Sequence, residues 1–223
     1  MPVREQHPEV FRRAVRSVRR NDPSTLLVIG DRCSIEWSAT AARIMREAWG
    51  NWSGLDTTTS TRAGISAALN RGLDAALALP ATQFIAFIDS DDEWHDGKLI
   101  AQRDAMRLNR WHASFHPYDR AGRNHPCTAT HRLEQDNIMC RSTTMISRRV
   151  AERLRFDESL TWCQDWDYHI QVERAFGWHR LGYTLATVHD DGVGHTRTAN
   201  RAARQRDRAE VVRRWRKGGR CSR

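Results

Sequence analysis

The stretch FIAFIDSDDEW, residues 84–94, decides the fold. It opens with five consecutive apolar residues, Phe84–Ile88, a run suited to a strand that is buried on both faces. Four carboxylates follow within five residues: Asp89, Asp91, Asp92 and Glu93. Mg²⁺ and Mn²⁺ take oxygen ligands, commonly one or two carboxylates together with substrate phosphates. The pattern therefore predicts either a divalent-metal site at a strand end or an acidic loop in which Asp96 caps the next helix.

A second apolar run, Leu26–Ile29, ends at Gly30 and Asp31. Between and around the two runs, helical spacing of apolar residues predicts the order helix, strand, helix, loop, helix, strand, helix, with the loop at Asn51–Arg62. This order favours an α/β fold with a mostly parallel sheet flanked by helices. Ligands of such sheets bind at the carboxyl ends of strands, so we expect Asp31 along the same edge as the acidic cluster.

Composition limits the class of protein. The chain has 223 residues, 39% of them hydrophobic and 28% charged, which is typical of one globular core. Its apolar runs are too short to span a bilayer, and no secretion leader opens it, so we expect a cytoplasmic protein. Five cysteines without a CxxC pair favour reduced thiols over a zinc site.

The formal charge of +9 is concentrated in two segments, Arg12–Arg20 and Arg201–Arg223. The first predicts either a solvated helix face or a surface for anions. For the second we consider a solvated helix, a peripheral contact with anionic lipid at the inner face of the membrane, and nucleic-acid binding. Nucleic acid is disfavoured because no recognised module accompanies the charge. We divide the chain into a domain at 1–200 and a basic tail at 201–223.

Four segments in order carry a family resemblance. FIAFIDSDDEWHDGKLIAQ (84–102) resembles the DxD segment of family 2 glycosyltransferases with the GT-A fold. VIGDRCSIEWSA (28–39) resembles the turn of that family that holds the nucleotide base, and GISAALNRGLDAA (64–76) resembles the helix before the DxD strand. FDESLTWCQDWDYHIQV (156–172) resembles the segment that carries the catalytic base. The chain is thereby similar to nucleotide-diphospho-sugar transferases, which are Rossmann-like.

The resemblance implies an inverting, metal-dependent transfer of a sugar, of the hexosyltransferase type, from a nucleoside-diphosphate sugar to an acceptor hydroxyl. The acceptor, whether glycan, lipid-linked or small molecule, is left open. Asp165 would be the general base, since inversion needs a base opposite the departing diphosphate. Asp91 would hold Mn²⁺ or Mg²⁺ on the diphosphate. The donor-binding residues would be Asp31 on the base, Asp89 on the ribose, and Asp92.

Two further sets of residues have competing interpretations. Trp94, assigned to the donor site, and Trp166 would either stack on a sugar or pack in the core. In VHDDGVGHTRT (188–198), His195 would be a metal ligand and Arg197 would bind phosphate, or these are residues of a surface loop.

The chain departs from the family pattern in two places. Gln164 stands where a glutamate usually precedes the base, which makes Asp167 a fallback base. The opening MPVREQHPEV resembles the segment after the first strand of the family, so that strand is predicted to be missing. Both departures keep a non-catalytic relative that acts as a binding protein under consideration. A sugar-phosphate nucleotidyltransferase is less favoured because no Gly-rich phosphate loop is visible near the start.

Overall fold

The computed structural model describes residues 1–50, 55–59, 64–127, 133–189 and 201–216. Helices in this part of the chain are α1 (Pro8–Arg20), α2 (Ile35–Trp49), α3 (Ile65–Ala78), α4 (Lys98–Asn109), α5 (Arg148–Arg153), α6 (Gln164–Phe176) and α7 (Arg201–Arg216). Strands are β1 (Pro2–Val3), β2 (Leu26–Gly30), β3 (Leu55–Thr59), β4 (Phe84–Ala86), β5 (Glu93–Trp94), β6 (Ala113–Phe115), β7 (Tyr118–Arg120), β8 (Arg123–His125), β9 (Met145–Ser147), β10 (His179–Arg180) and β11 (Ala186–Val188). The predicted α/β class is confirmed.

Within the described residues the strands form three sheets, in the orders β1-β2-β3, β10-β6-β9-β4 and β5-β11-β7-β8. In the first sheet, β1 and β3 both run parallel to β2. In the second, β9 lies between β4 and β6 and is antiparallel to both. In the third, β11 is parallel to β7 and antiparallel to β5. The expectation of a mostly parallel sheet is met by the first sheet, whereas the other two are mixed.

Two strands differ from the sequence-based expectations. Leu55–Thr59 lies inside the predicted loop Asn51–Arg62, yet it pairs along its whole length with β2. Threonine is β-branched and favours strands, but its polarity hid the strand in the sequence. Pro2–Val3, in the opening segment for which no strand was predicted, pairs in parallel with Ile29 and Gly30.

Helix starts follow local chemistry. The Ser34 side chain caps α2 by accepting a hydrogen bond from the Trp37 N–H at 3.1 Å. Helix α4 begins after Gly97, which adopts a left-handed conformation and provides no side-chain cap. The alternative in which Asp96 caps this helix is therefore wrong.

The two core clusters meet at the end of β4. Neighbouring residues of an extended segment point to opposite faces. Phe87 accordingly packs into a cluster with α3, α5 and α6, while Ile88 packs into a cluster with α1, α2 and β2. Both side chains are buried. The acidic turn that begins at Asp89 is thus held from two sides by the core.

Helix α7 packs on the preceding part of the chain. Val211 and Trp215 are buried in the same cluster as Phe87. The Asp207 carboxylate accepts hydrogen bonds from the backbone N–H groups of Thr161 and Trp162, each at 2.9 Å. One face of this helix therefore packs on the core, while most of its other described residues are exposed, as the solvated-helix interpretation expects. The boundary predicted at residue 200 lies outside the described residues.

Two predictions from composition concern cysteines and membranes. The four cysteines of the described residues, Cys33, Cys127, Cys140 and Cys163, are free thiols. Within the same part of the chain, every helix is too short or too polar to cross a bilayer.

The packing of α7 makes Trp215→Ala a test of the fold. Its ring is 3% exposed, and its indole N–H donates to Asp167 at 2.8 Å. We expect the substitution to lower the free energy of unfolding by about 3–5 kcal/mol, as for other buried tryptophans. Urea denaturation followed by circular dichroism measures this loss. Gln205→Ala, at an exposed position of the same helix, is the control and should stay within about 0.5 kcal/mol of the parent. Equal stabilities of the two variants would contradict the packing described.

Candidate active site

Acidic side chains converge just after β4. Ligand atoms of Asp89, Asp92 and Cys140 all lie within 4.8 Å of one another. A tight turn brings the two aspartates together, because the Asp92 N–H donates to the Asp89 carbonyl at 3.2 Å. Three ligand-type atoms at this spacing form a candidate metal site.

Asp92 lies deepest in this group, with 2% of its surface exposed. Its carboxylate accepts hydrogen bonds from the Ser142 hydroxyl and, at 3.2 Å, from the His189 backbone N–H. Burial, and then the negative charges of Asp89 and Asp91, raise the pKa of Asp92 well above the usual carboxyl range. A cation placed here would offset that repulsion.

Cys140 accompanies the carboxylates as a thiol. Burial, followed by the charges of Asp92 and Asp89, raises its pKa well above the ordinary value. Its sulfur donates to Asp92 at 3.7 Å. Metal ions bind the thiolate, and hard cations prefer oxygen. The carboxylates, not the sulfur, are therefore the groups suited to Mg²⁺ or Mn²⁺.

Arginines of α1 flank the acidic turn. Arg13 donates from Nη2 to the Asp91 carbonyl at 2.8 Å. Arg20 pairs with Glu93 at 3.0 Å and with Asp96 at 2.8 Å. Part of the first basic segment thus compensates the carboxylates beside it, in addition to facing solvent. The carboxylate of Asp91 is not one of the three convergent ligand groups.

Arg141 connects this turn with the predicted base. Its buried guanidinium donates from Nε to Asp89 Oδ1 at 2.8 Å and makes a second contact to the same oxygen from Nη2. Burial opposes its charge, but the carboxylates of Asp89 and Asp165 outweigh burial and raise the pKa of Arg141. Arg141 thus contacts Asp89 directly, and its charge also interacts with that of Asp165, 76 positions further along the sequence.

Asp165 lies in the first turn of α6 and is partly buried. It accepts hydrogen bonds from Asn137 Nδ2 at 2.9 Å and from the Trp166 backbone N–H at 2.8 Å. The other end of the Asn137 amide contacts His169 Nδ1 at 3.2 Å. Burial lowers the pKa of His169 to about 4, although Asp165 acts in the opposite direction, so the ring is neutral at pH 7.

The surroundings of Asp167 argue against its use as a fallback base. Its carboxylate is fully buried and accepts hydrogen bonds from Trp215 Nε1 at 2.8 Å and from Gln171 Nε2 at 2.7 Å. Burial raises its pKa despite these partners. The group is a structural anchor for α7, because its hydrogen-bonding capacity is directed into the core.

The two tryptophans of the motifs lie in the core. Trp94 is 3% exposed and Trp166 is 2% exposed. The Trp94 indole N–H donates to the Ser142 carbonyl at 2.8 Å, so this ring supports the acidic turn. Lys98 lies over the same ring, with its Nζ 4.1 Å from the centroid. Burial favours the core-packing alternative for both residues over stacking on a sugar.

Asp31 directly follows β2 and is held by polar contacts. Its buried carboxylate pairs with Arg4 Nε at 2.6 Å and accepts a hydrogen bond from the Gly64 N–H at 3.0 Å. The segment after β1 also reaches the acidic turn, since Gln6 Nε2 donates to the Ser90 carbonyl at 2.7 Å. The segment after β1 thus contacts both Asp31 and the acidic turn, although β2 and β4 belong to different sheets.

The predicted ligands His195 and Arg197 lie outside the described residues. The chain does lead toward the site before that point. His189 Nε2 is 3.6 Å from Glu93 Oε2, and the His189 N–H bonds to Asp92.

Sequence reasoning missed the segment Asn137–Ser142. At its end, Arg141–Thr143 is a single 3₁₀ turn, and β9 starts just after it at Met145. The residues of this segment have no spacing signal of their own. One available clue was charge, because a buried cluster of carboxylates needs a nearby cation.

Comparison with solved structures identifies the fold. The chain matches the crystal structure of S. aureus TarS 1-349 in complex with UDP-GlcNAc with a TM-score of 0.71 and 15% identity, covering 95% of this chain and 63% of that one. The crystal structure of S. aureus TarS 1-349 matches with a TM-score of 0.66 and 15% identity, covering 84% of this chain and 59% of that one. The mannosyltransferase PcManGT from Pyrobaculum calidifontis in complex with GDP-Man and Mn²⁺ matches with a TM-score of 0.61 and 13% identity, covering 84% of this chain and 55% of that one. The chain therefore has the GT-A fold and spans less than two thirds of these chains.

No curated protein sequence matches the chain. The profile of the family described as "Glycosyl transferase family 2" matches residues 1–155, which is more than half of the sequence. That span includes Asp31, Asp89 and Arg141. The chain belongs to glycosyl transferase family 2.

Proposed function

We propose that this protein is an inverting, metal-dependent glycosyltransferase that moves a sugar from a nucleoside-diphosphate sugar to an acceptor hydroxyl. One observation carries the proposal: Arg141 is the shared cationic neighbour of Asp89 at the end of β4 and of Asp165 at the start of α6. A donor-binding group and a base must lie in one site for such a transfer. The buried arginine supports that arrangement for residues far apart in the sequence.

Structural relatives support the donor class. TarS has been crystallised with UDP-GlcNAc and with UDP, and PcManGT with GDP-Man and Mn²⁺. By analogy, Asp31 would bind the nucleotide base and Asp89 the ribose, with Asp92 supporting the turn between them. A hexose donor is part of the proposal, in which His195 would be a metal ligand and Arg197 would bind the donor's phosphates.

The residues of the acidic turn fit a divalent cation. Asp89 and Asp92 present converging oxygens, and the charges of Asp89 and Asp91 raise the pKa of the buried Asp92 beyond the effect of burial. Asp91, together with Asp89, would hold the ion. Bound there, Mn²⁺ or Mg²⁺ would supply positive charge to the leaving diphosphate.

Asp165 would act as the base. Hydrogen bonds from Asn137 Nδ2 and the Trp166 N–H hold its carboxylate, and the neutral ring of His169 lies behind Asn137. The carboxylate would accept the proton of the acceptor hydroxyl as the sugar carbon is attacked. Gln164, which precedes it, keeps the helix start but contributes no charge.

The proposal also includes a contact of the enzyme with a membrane surface. Helix α7 exposes Arg201, Arg204 and Arg206. These side chains would give the enzyme a peripheral contact with the anionic, cytoplasmic face of a membrane. The protein should then sediment with vesicles that contain phosphatidylglycerol but not with phosphatidylcholine vesicles. The double variant Arg201→Ala, Arg204→Ala should lose most of this binding. Sedimentation that is independent of lipid charge would reject the contact.

Nucleotide binding is the first test of the donor site. With Mn²⁺ present, UDP or GDP at about 100 times its Kd should raise Tm by roughly 5–10 °C, because ligands that bind only the native state stabilise it. Asp91→Asn should abolish the dependence on Mn²⁺ while leaving the Tm of the free protein near that of the parent. Differential scanning fluorimetry measures both quantities.

Asp104→Asn is the matched control for that variant, since Asp104 is an exposed carboxylate of α4. It should keep the full metal-dependent shift. A Tm that is insensitive to a panel of nucleotides, with and without metal, would favour the non-catalytic relative instead. Binding of a sugar 1-phosphate with a nucleoside triphosphate would favour a nucleotidyltransferase.

The base is tested by Asp165→Asn. We expect donor binding to remain while sugar transfer falls by about 10²–10⁴-fold, the usual contribution of a general base. Transfer is measured as nucleoside-diphosphate release with a panel of acceptors, and the anomeric configuration of the product by NMR. Asp136→Asn, at an exposed neighbouring carboxylate, should transfer at the parental rate. Normal turnover in Asp165→Asn would move the base elsewhere, and retained configuration would rule out inversion.

A further inference from the structure

The turn that leads into α6 has an unusual backbone. Cys163, the residue directly before the helix, has a φ of 58°, in the left-handed region that residues with a side chain rarely adopt. Its side chain makes no capping hydrogen bond to α6. Backbone conformations of this kind persist only where the surrounding structure holds them. The start of α6, where Asp165 lies, therefore depends on contacts from elsewhere in the chain.

Asp207 of α7 provides such contacts. One oxygen of its carboxylate, Oδ2, accepts hydrogen bonds from the backbone N–H groups of both Thr161 and Trp162. The side chain is 6% exposed, and its other oxygen, Oδ1, accepts from Arg206 Nε at 3.2 Å. Hydrogen bonds to an ionised carboxylate are stronger than those between neutral groups. The backbone directly before Cys163 is therefore tied to a helix that lies 45 positions later in the sequence.

Helix α7 holds Asp207 at a fixed place relative to α6. Asp207, Val211 and Trp215 are spaced by four residues, so they lie on one face of the helix. Val211 is buried, and the indole N–H of Trp215 donates to Asp167 of α6. Arg174 of α6 also donates to the Trp215 carbonyl, at 2.7 Å. The face of α7 that packs on the core thus also carries the carboxylate that holds the turn.

We propose that Asp207 is a positioning residue for sugar transfer. It holds the N–H groups of Thr161 and Trp162 and thereby fixes the turn into α6. That turn sets where the Asp165 carboxylate lies relative to the acceptor hydroxyl. The inference rests on the proposed role of Asp165 as the base. Asp207 takes no part in the proton transfer itself, because its buried carboxylate is directed at the protein backbone.

The first test removes the carboxylate from the full chain. In Asp207→Ala we expect kcat to fall by about tenfold or more, because a displaced catalytic group loses rate. The donor KM should stay within about twofold of the parent, since donor binding is not affected. Hydrogen exchange of the Thr161 and Trp162 amides, measured by NMR, should become about tenfold faster or more. Asp207→Asn keeps an oxygen that can accept these hydrogen bonds, and should recover most of the rate.

Val211→Ala is the matched control for a loss of stability alone. It lies on the same face of α7 as Asp207, and it removes only buried apolar surface. This variant should lower Tm, yet at a temperature where all variants are folded its kcat should be within about twofold of the parental value. An equal loss of kcat in Val211→Ala and Asp207→Ala would show that Asp207 contributes only stability, and would overturn the proposal.

A double variant tests whether Asp207 acts through Asp165. Added to Asp165→Asn, Asp207→Ala should lower the residual transfer by less than about twofold, because the group that it positions is already lost. A further loss of about tenfold in that background would overturn the proposal. Parental transfer by Asp207→Ala beside an impaired Asp165→Asn would overturn this proposal alone. Normal transfer by Asp165→Asn would contradict the proposed base, and this proposal with it.

Discussion

Like charges gathered at a buried strand end must be compensated, and much of this structure meets that requirement. Asp89 and Asp92 converge after β4, where water is largely excluded. Arg141 from a distant segment neutralises Asp89, the Ser142 hydroxyl bonds Asp92, and arginines of α1 lie against the outer side of the turn. Removing one member of such a group leaves another buried and unpaired, which costs more than the lost bond itself.

The core supports this arrangement mechanically. Phe87 and Ile88 are each fixed in a different hydrophobic cluster, so the residue that follows them has little freedom. Trp94 enters the core a few residues later and bonds the Ser142 carbonyl. An acidic turn held at both ends by apolar packing keeps its shape without depending on its own weak propensities.

Sequence patterns predicted the parts of the molecule that obey a local rule. The apolar runs at Leu26 and Phe84 became strands, and the family motifs pointed to Asp89 and Asp165. Leu55–Thr59 was missed because its run of threonines looks like a polar loop in the sequence. Arg141 was missed because its role depends on contacts across the fold, which no spacing in the sequence records. Asp167 looked equivalent to Asp165 in the motif, and only the packing of Trp215 separates the two carboxylates.

The segment from Asn137 to Ser142 contacts three carboxylates of the candidate site. Asn137 holds Asp165, Arg141 holds Asp89, and Ser142 bonds Asp92. It does so with only one turn of 3₁₀ helix, so its position is set by these contacts more than by its own backbone pattern. A displacement that follows a change at Asp89 would carry Asn137 with it and reorient Asp165. One short segment thereby links the three carboxylates mechanically, so that a shift of any one of them is transmitted to the other two.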